Sequence, residues 1–440
     1  MIESLLVANR GEIARRVIRT AKRLNIRTVA VYSEADAGLP FVVEADEAIG
    51  IGAPQSYRNG EAILAAAKES NAQAIHPGYG FLSENADFAR AVETNGLIWV
   101  GPPADAIRAM GDKINARNLM AEAGVPVAPG THDPAATVEA AVEAAATIGY
   151  PVMVKAAAGG GGMGMAVADD EGGLRTQFDK VRAFAERMFG DGSVLIERYF
   201  PRVRHVEVQI LGLADGRVIA LSERECSVQR RNQKLVEEAP SPAVSASLRK
   251  DLLAAAVKAG EAVGYRNAGT VECLLDPATG EFFFLEMNTR LQVEHPITEL
   301  IHGTDLVEQQ LRIASGLDIN FDTEKTSGHA IELRINAEDP KRFLPGPGKV
   351  VTWVEPTGEG VRVDSGYAEG TTVTPHYDSL MAKLIVFGAD RADAIAKARA
   401  AVAGFEIAGP KSNLPFFAEL LDNDEFLAGD YDTGIVSRMR

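Results

Sequence analysis

Glu286-Met287-Asn288-Thr289-Arg290-Leu291-Gln292-Val293-Glu294-His295-Pro296 places metal-ligand, anion-binding and base chemistry in one short segment, which reads as extended. In a β-strand, alternation sends Glu286, Asn288 and Arg290 to one face. That gives two oxygen ligands for a hard cation, then a guanidinium for the anion that the cation helps activate. Upstream, Thr270-Val271-Glu272-Cys273-Leu274 is a second apolar strand carrying one more carboxylate, and the turn Asp276-Pro277-Ala278-Thr279-Gly280 joins the two. The resulting hairpin brings Glu272 beside Glu286 and Asn288. Unpaired carboxylates on buried strands cost several kcal/mol through desolvation, and a bound cation is the ordinary remedy. A surface hairpin with solvated acids is the plain alternative.

Around this hairpin lies a chain of 440 residues, 46% hydrophobic, enough for two or three cores. Its net charge of -16 argues against nucleic acid or an acidic membrane as partner, because phosphate backbones reward a basic surface. Phosphate must then be met locally. Cys226 and Cys273 are the only cysteines, so neither a disulfide framework nor a thiolate zinc site is suggested, and both read as core thiols in a reducing compartment. The N-terminal apolar run is too short for a signal peptide, and no apolar span of about 18 residues occurs. The expected location is the cytoplasm.

Residues 1–112 alternate β-branched runs with helical periods: strand Ser4 to Ala8, helix Ile13 to Leu24, strand Thr28 to Tyr32. This is βαβ wiring with a parallel sheet, so the fold class is α/β with α+β parts further on. The turn Ala8-Asn9-Arg10-Gly11-Glu12 lacks the glycine fingerprint of a dinucleotide site. A later strand ends in His76-Pro77-Gly78-Tyr79-Gly80-Phe81-Leu82-Ser83-Glu84, a turn at the carboxyl end of a parallel strand, where α/β sheets place ligands; a purely structural turn is the alternative. Helix breakers at Gly124 to Gly130 mark 113–130 as a linker. A small unit at 131–203 follows, with strands Pro151 to Ala156, Met165 to Ala168 and Val194 to Tyr199 and a helix from Gly172 to Phe189. The strand-rich remainder divides into a core at 204–330 and a C-terminal region at 331–440, with helices near Ser247 to Val263, Asp305 to Ala314, Arg391 to Ala403 and Asn413 to Leu421.

Between two of the short strands, Lys155-Ala156-Ala157-Ala158-Gly159-Gly160-Gly161-Gly162-Met163-Gly164-Met165 forms a glycine-rich hairpin, with no Gly-Lys-Ser/Thr of a P-loop after it. Glycines let backbone N–H groups approach a polyphosphate closely, and such a hairpin can close as a flap. Lys155 and Lys113 are the candidate phosphate cations. Glu197-Arg198-Tyr199-Phe200 offers an acid and an apolar edge for ribose and adenine, and Met165 and Leu274 could sandwich the base or be ordinary core. His205-Val206-Glu207-Val208-Gln209 alternates like a half-buried strand. Cys226-Ser227-Val228-Gln229-Arg230-Arg231-Asn232-Gln233-Lys234 crowds cations beside amides, which in an acidic chain implies a local anion; a solvated charged strand is the alternative.

Together, Ala8 to Ala14, His76 to Glu84, Lys155 to Met165, Arg204-His205-Val206-Glu207, Gln229 to Glu238, Glu286 to Pro296, Glu332-Leu333-Arg334-Ile335-Asn336-Ala337-Glu338-Asp339-Pro340 and Tyr377-Asp378-Ser379 resemble the biotin carboxylases. These are the ATP-grasp subunits or domains of acetyl-, propionyl- and methylcrotonyl-CoA carboxylases and of pyruvate carboxylase, and the similarity runs in order along the whole chain. The resemblance implies an ATP-grasp fold with a Rossmann-like N-terminal domain, a mobile ATP lid and a mixed C-terminal domain. It implies that Lys113, Lys155, Gly159, Gly160, Gly161, Gly162, Gly164, Met165, Glu197, Phe200, His205, Gln229, Asn232 and Leu274 hold ATP, and that Glu272, Glu286 and Asn288 hold Mg²⁺ or Mn²⁺. Bicarbonate is expected against Lys234, Arg290, Gln292 and the N–H of Val293, and biotin against Tyr79, Arg334 and Asp378. In the family's mechanism the residue matching Glu294 deprotonates bicarbonate, carboxyphosphate forms, its released phosphate takes the N1′ proton of biotin, and Arg334 stabilises the enolate. Positioning and charge neutralisation are what phosphoryl transfer needs.

Three departures stand out. Met163 replaces a basic residue common in the glycine loop, Asn232 replaces a frequent His, and Arg23 stands where bacterial homodimers have an interface acid. No Met-Lys-Met attachment motif occurs; the nearest imitation is Met381-Ala382-Lys383-Leu384. The implied partners are a biotin carboxyl carrier protein or domain, a carboxyltransferase and a second copy in a homodimer. The rival readings are another ATP-grasp ligase joining a carboxylate to an amine, and a nucleotide-binding scaffold without activity.

Overall fold

Five short parallel strands open the chain. In the computed structural model, which describes residues 1–157 and 163–440, β1 (Ser4–Val7), β2 (Arg27–Tyr32), β3 (Glu47–Gly50), β4 (Ala74–His76) and β5 (Ile98–Trp99) lie in the order β3-β2-β1-β4-β5. All four pairings are parallel. The helix after β1, Gly11–Arg23, buries Ile13, Ala14, Val17, Ile18 and Ala21 on one stripe. Glu12 in its first turn and Lys22 and Arg23 in its last complement the helix dipole, and Asn25 at φ 59° turns the chain out of it. Strand order reverses between β1 and β4, which is where open α/β sheets form a crevice beyond the carboxyl ends of the strands. The loops after β1 and β4 meet there, with Ala8 N–H donating to the His76 carbonyl at 2.9 Å.

The small unit is an antiparallel sheet, β6 (Val152–Ala156), β7 (Met165–Ala168) and β8 (Val194–Arg198), in the order β7-β6-β8. Helices Val138–Ile148 and Glu171–Phe189 cover it through Ala141, Ala145, Leu174, Phe178 and Val181. Ala158 and the four glycines Gly159 to Gly162 fall outside the described residues. Within the stretch read as a linker, Lys113–Glu122 is a helix, capped by Asp112, which accepts from Asn115 N–H.

The rest is built on one antiparallel sheet of eight strands: β9 (Arg204–Gly212), β10 (Val218–Arg230), β11 (Gln233–Ala239), β12 (Asn267–Leu275), β13 (Phe282–Asn288), β14 (His329–Asn336), β15 (Val361–Ser365) and β16 (Leu380–Gly388), ordered β13-β12-β9-β10-β11-β14-β16-β15. The hairpin expected from Glu272 and Glu286 is β12–β13. Two local readings need correction. Strand β13 ends at Asn288, so Arg290 is not on its face; Thr289 to Glu294 is irregular, and the helix His295–His302 starts next, with Glu294 at its N-cap and Pro296 in its first turn. Strand β9 is not half-buried but buried at every residue. Alternating polar side chains look the same in sequence whether they face water or an enclosed polar site.

No helix among the described residues is long and apolar enough to cross a membrane. Cys226 and Cys273 are buried free thiols, as expected.

Candidate active site

The β12–β13 register sets Glu272 directly opposite Glu286 and Thr270 opposite Asn288. Glu272 is saturated with donors. One oxygen accepts from Lys234 Nζ (2.8 Å), Asn288 Nδ2 (2.8 Å) and Gln292 Nε2 (2.7 Å), and the other lies 2.9 Å from His205 Nε2. Lys234, entering from β11, also donates to Glu207 and Glu294, each at 2.6 Å. The second oxygen of Glu294 takes Arg334 Nη2 at 2.9 Å, and Arg334 Nε reaches Glu237 at 2.7 Å. Beneath these groups the wholly buried Arg224 ion-pairs with Glu207 and donates to Gln209 (2.8 Å), Thr298 (3.0 Å), Thr270 (3.0 Å) and Gln292 Oε1 (2.9 Å).

Such crowding moves every pKa. Burial pushes the Glu294 carboxyl up, but Lys234, Arg334 and Arg224 outweigh it and hold the group well below the usual carboxylate range. Burial is likewise outweighed at Glu272, by Lys234 and then His205. Glu286 goes the other way. Solvent reaches it at the mouth of the cleft, yet the surrounding walls and then the Glu272 charge raise its carboxyl, with Lys113 opposing. Among the described residues Glu286 has no hydrogen-bond or ion-pair partner. Two facing carboxylates, one pulled down and one pushed up, hold excess negative charge that a divalent ion would relieve. The set Glu272, Glu286 and Asn288 is all-oxygen and so fits Mg²⁺ or Mn²⁺. A tighter group, His205, Glu207 and Glu272, has its ligand atoms within 4.8 Å of one another, but Lys234 and Arg224 already neutralise Glu207.

Arg290 Nε donates to Glu84 at 3.0 Å and Nη2 to Asn288 Oδ1 at 3.0 Å. It therefore joins Asn288 and Gln292 by way of the loop rather than by strand alternation. The Val293 carbonyl is held by Lys383 Nζ at 2.8 Å, and its N–H has no partner among the described residues.

On the nucleotide side, Lys155 ion-pairs with Glu197 across β6 and β8. Lys113 stands at the first turn of its helix, its ammonium pKa lowered by burial and by Lys155 against the charges of Glu286 and Glu197. These four residues thus gather where the lid meets the core. Phe200 stacks on Phe283 with centroids 5.0 Å apart, and Leu274 lies opposite both His205 and Phe283. His205 Nδ1 is 3.4 Å from Gln229 Nε2. Met165 is partly exposed, and the Gly164 carbonyl accepts from Ala156 N–H at 2.8 Å. Asn232 (φ 65°) follows Arg231 (φ 50°) in the exposed turn between β10 and β11. Consecutive left-handed residues favour Asn, which gives Asn232 a backbone reason for its place.

At the crevice of the first sheet, the Tyr79 hydroxyl donates to Glu12, and its pKa is driven up by burial first, with Arg334 and Asp378 both close enough to act on it. Asp378 accepts from Leu380 N–H at 2.9 Å. Tyr79, Arg334 and Asp378 are therefore neighbours although they are far apart in the chain. Sequence reading gave no role to Glu84, Glu207, Arg224, Glu237, Glu12 or Lys383. A signal existed for two of them: Glu207 shares a strand face with His205, and Ser222-Glu223-Arg224-Glu225 is a charged run inside an otherwise apolar strand.

A parallel-sheet domain, a small three-stranded antiparallel unit, and a large antiparallel sheet with facing carboxylates define an ATP-grasp ligase. Residues 1–107 match the family described as biotin carboxylase, N-terminal domain, residues 112–321 the carbamoyl-phosphate synthase L chain, ATP binding domain, and residues 332–438 the biotin carboxylase C-terminal domain. The biotin carboxylase of Haemophilus influenzae is 50% identical over 435 residues, covering 98% of this chain and 97% of that protein. A Campylobacter jejuni biotin carboxylase solved as a β-γ-ATP complex superposes with a TM-score of 0.96 at 44% identity, over 100% of this chain and 99% of that one. The biotin carboxylase domain dimer of Hydrogenobacter thermophilus 2-oxoglutarate carboxylase, solved with MgADP, ADP and bicarbonate, gives 0.94 at 44% identity, over 100% and 98%. The chain belongs to the biotin carboxylase family.

Proposed function

We propose that this chain carboxylates biotin with bicarbonate at the expense of ATP, the first half-reaction of a biotin-dependent carboxylase. The observation that carries this reading is the Glu294 carboxylate set between Lys234 (2.6 Å) and Arg334 (2.9 Å). In the resting site those cations make Glu294 too weak a base. Bicarbonate seated against Arg290, Gln292 and the Val293 N–H adds a second anion beside Lys234, which loosens its hold on Glu294 and raises the carboxylate's basicity. Glu294 then takes the bicarbonate proton, and the oxyanion attacks the γ-phosphate to give carboxyphosphate and ADP. When carboxyphosphate breaks down to CO₂ and phosphate, the phosphate takes the N1′ proton of biotin, Arg334 faces the resulting enolate oxygen, and N1′ bonds the CO₂ carbon to give carboxybiotin.

Lys113 and Lys155 orient the polyphosphate, with Glu197, His205, Gln229, Phe200, Met165 and Leu274 around the nucleoside. Glu272, Glu286 and Asn288 hold a divalent ion, which supplies charge neutralisation on the phosphates when bound. The unit at 131–203 acts as the lid over residues 204–330. Biotin arrives on a carrier: the sequence has no Met-Lys-Met, and Lys383, in the nearest imitation of it, is wholly buried on β16. A carboxyltransferase receives the product, and the chain pairs with a second copy. Arg23, which departs from the acid seen in bacterial dimers, pairs within its own chain with Asp305 (2.9 Å) and Glu308 (2.7 Å).

The test is ADP release from ATP with purified chain. Stimulation by bicarbonate and free biotin, and none by amino acids, supports the reading. Stimulation by an amine acceptor with indifference to biotin makes it a carboxylate–amine ligase instead.

A further inference from the structure

The turn Ala8-Asn9-Arg10-Gly11-Glu12 follows β1 where the strand order of the first sheet reverses, and the chemistry above leaves it without a task. It grips the Tyr79 loop twice. Asn9 Nδ2 donates to the carbonyls of Pro77 (2.6 Å) and Tyr79 (2.8 Å). Gly78, at φ 63°, permits that approach, because a Cβ there would lie 2.8 Å from Asn9 Nδ2. Glu12 takes the side chain, accepting from the Tyr79 hydroxyl.

The other Glu12 oxygen lies 3.3 Å from Lys383 Nζ, and the same ammonium donates to the Val293 carbonyl. Both Glu12 and Lys383 are buried. Since the peptide unit is planar, fixing the Val293 carbonyl fixes its region of the loop between Arg290 and Glu294. A polar path of one hydrogen bond, one ion pair and a second hydrogen bond therefore runs from Tyr79 through Glu12 and Lys383 to the bicarbonate loop. A buried ion pair adds little net stability over an apolar pair of similar volume, so registry is the better account of its presence.

We propose that Glu12 and Lys383 are positioning residues that set the Tyr79 hydroxyl and the Val293 loop relative to each other, so that biotin and bicarbonate are presented in matched geometry. This rests on the functional reading above. Neither residue touches substrate in this account, and both act through a neighbour.

The experiment uses the full chain with Glu12→Gln, Lys383→Met, Tyr79→Phe and the Glu12→Gln/Tyr79→Phe double variant. Three quantities are read: MgADP affinity by calorimetry, KM for bicarbonate in biotin-independent ATP hydrolysis, and KM for free biotin. Small misplacements at a reacting centre are felt strongly, so Glu12→Gln and Lys383→Met should each raise both KM values by roughly 10-fold while ADP affinity is retained. In the Tyr79→Phe background, Glu12→Gln should add nothing further to the biotin KM, because the hydroxyl it acts through is gone. Unmoved KM values, an additive double variant, or ADP affinity falling in step with them would overturn the proposal. If Lys383→Met does not fold, the Glu12 and Tyr79 cycle decides alone. A parent indifferent to bicarbonate overturns the functional reading itself; a responsive parent with unmoved variants overturns only this one.

Discussion

Replacing Lys234 by Met keeps most of the apolar stem and removes one ammonium from among three buried carboxylates. Breaking a buried ion pair by deleting one partner costs about 3–5 kcal/mol. Each carboxylate here keeps another partner: Arg224 for Glu207, His205, Asn288 and Gln292 for Glu272, and Arg334 for Glu294. The lower end, about 3 kcal/mol, is therefore expected. The pH dependence has a definite sign. Glu272 and Glu294 have depressed folded-state values, so the stability they draw from Lys234 is present above the unfolded carboxylate pKa of about 4.3 and is lost as pH falls through the folded values. Lys234 is raised, so its contribution persists up to at least the unfolded lysine value of about 10.4. The gap between parent and Lys234→Met should be flat from about pH 6 to 9 and close below about pH 4. Native-state hydrogen exchange of β9 and β11 amides suits this assay, since it reports opening of one region and avoids assuming that a chain of several domains unfolds in one step. A gap under about 1 kcal/mol at neutral pH, or one that widens on acidification, would show that Lys234 does not neutralise this cluster.

Three further outcomes are expected. Glu294→Gln, an isostere that cannot take a proton, should retain ADP affinity and lose bicarbonate-dependent ATP cleavage by roughly 10²-fold or more, read by coupled ADP release; cleavage at the parental rate removes Glu294 as the base. Arg334→Ala should depress biotin carboxylation far more than biotin-independent ATP hydrolysis, and equal losses would move its role to the earlier step. Glu286→Gln should weaken the dependence of nucleotide affinity on Mg²⁺, measured by titration at several Mg²⁺ concentrations, while affinity without Mg²⁺ is retained; an unchanged Mg²⁺ dependence takes Glu286 out of the metal set.

How far the site was readable in the chain depends on the reach of each rule. The β12–β13 pairing is local, joined by a short Pro- and Gly-containing turn, and period-2 alternation fixes which carboxylates face each other, so Glu272 opposite Glu286 was legible. Helix positions in the lid and C-terminal region followed from periodicity to within a few residues. Arg290 and Glu294 were misplaced on a strand because nothing in Thr289 to Glu294 breaks an extended pattern before Pro296, and a proline near a helix start reads equally as a strand terminator. Glu207 and Arg224 were passed over because a charged alternating strand has the same sequence signature in water as in a sealed polar core. Glu12 and Lys383 could not have been found by pattern at all: one opens the first helix and the other lies on β16, and only the packing of the C-terminal strands against that helix brings them together. Gly366 shows how close that packing is, since a Cβ there would stand 2.8 Å from Glu12 N.

The charge balance of the site then constrains the order in which substrates can act. Glu207, Glu237, Glu272, Glu286 and Glu294 crowd around Lys234, Arg224 and Arg334, and Arg290 is shared with Glu84, so every cation of the resting cleft is already engaged by a carboxylate. Two of the three proposed substrates, ATP and bicarbonate, are anions, and in a cleft of low effective dielectric like-charge repulsion is amplified. Bicarbonate alone would meet cations already committed to carboxylates. Lys155 is paired with Glu197, and the Glu286 charge acts on Lys113, so under the proposed function a polyphosphate would engage these two ammonium groups, and a divalent ion held by Glu272, Glu286 and Asn288 would supply further positive charge at the mouth of the cleft. Lys234, which now donates to Glu272, would then be free to face bicarbonate. On the proposed function, productive bicarbonate binding is therefore expected to follow nucleotide binding: bicarbonate affinity measured by calorimetry should rise when MgADP is present, and an affinity indifferent to nucleotide would refute the idea that the three-way sharing of Lys234 withholds a cation from the empty site.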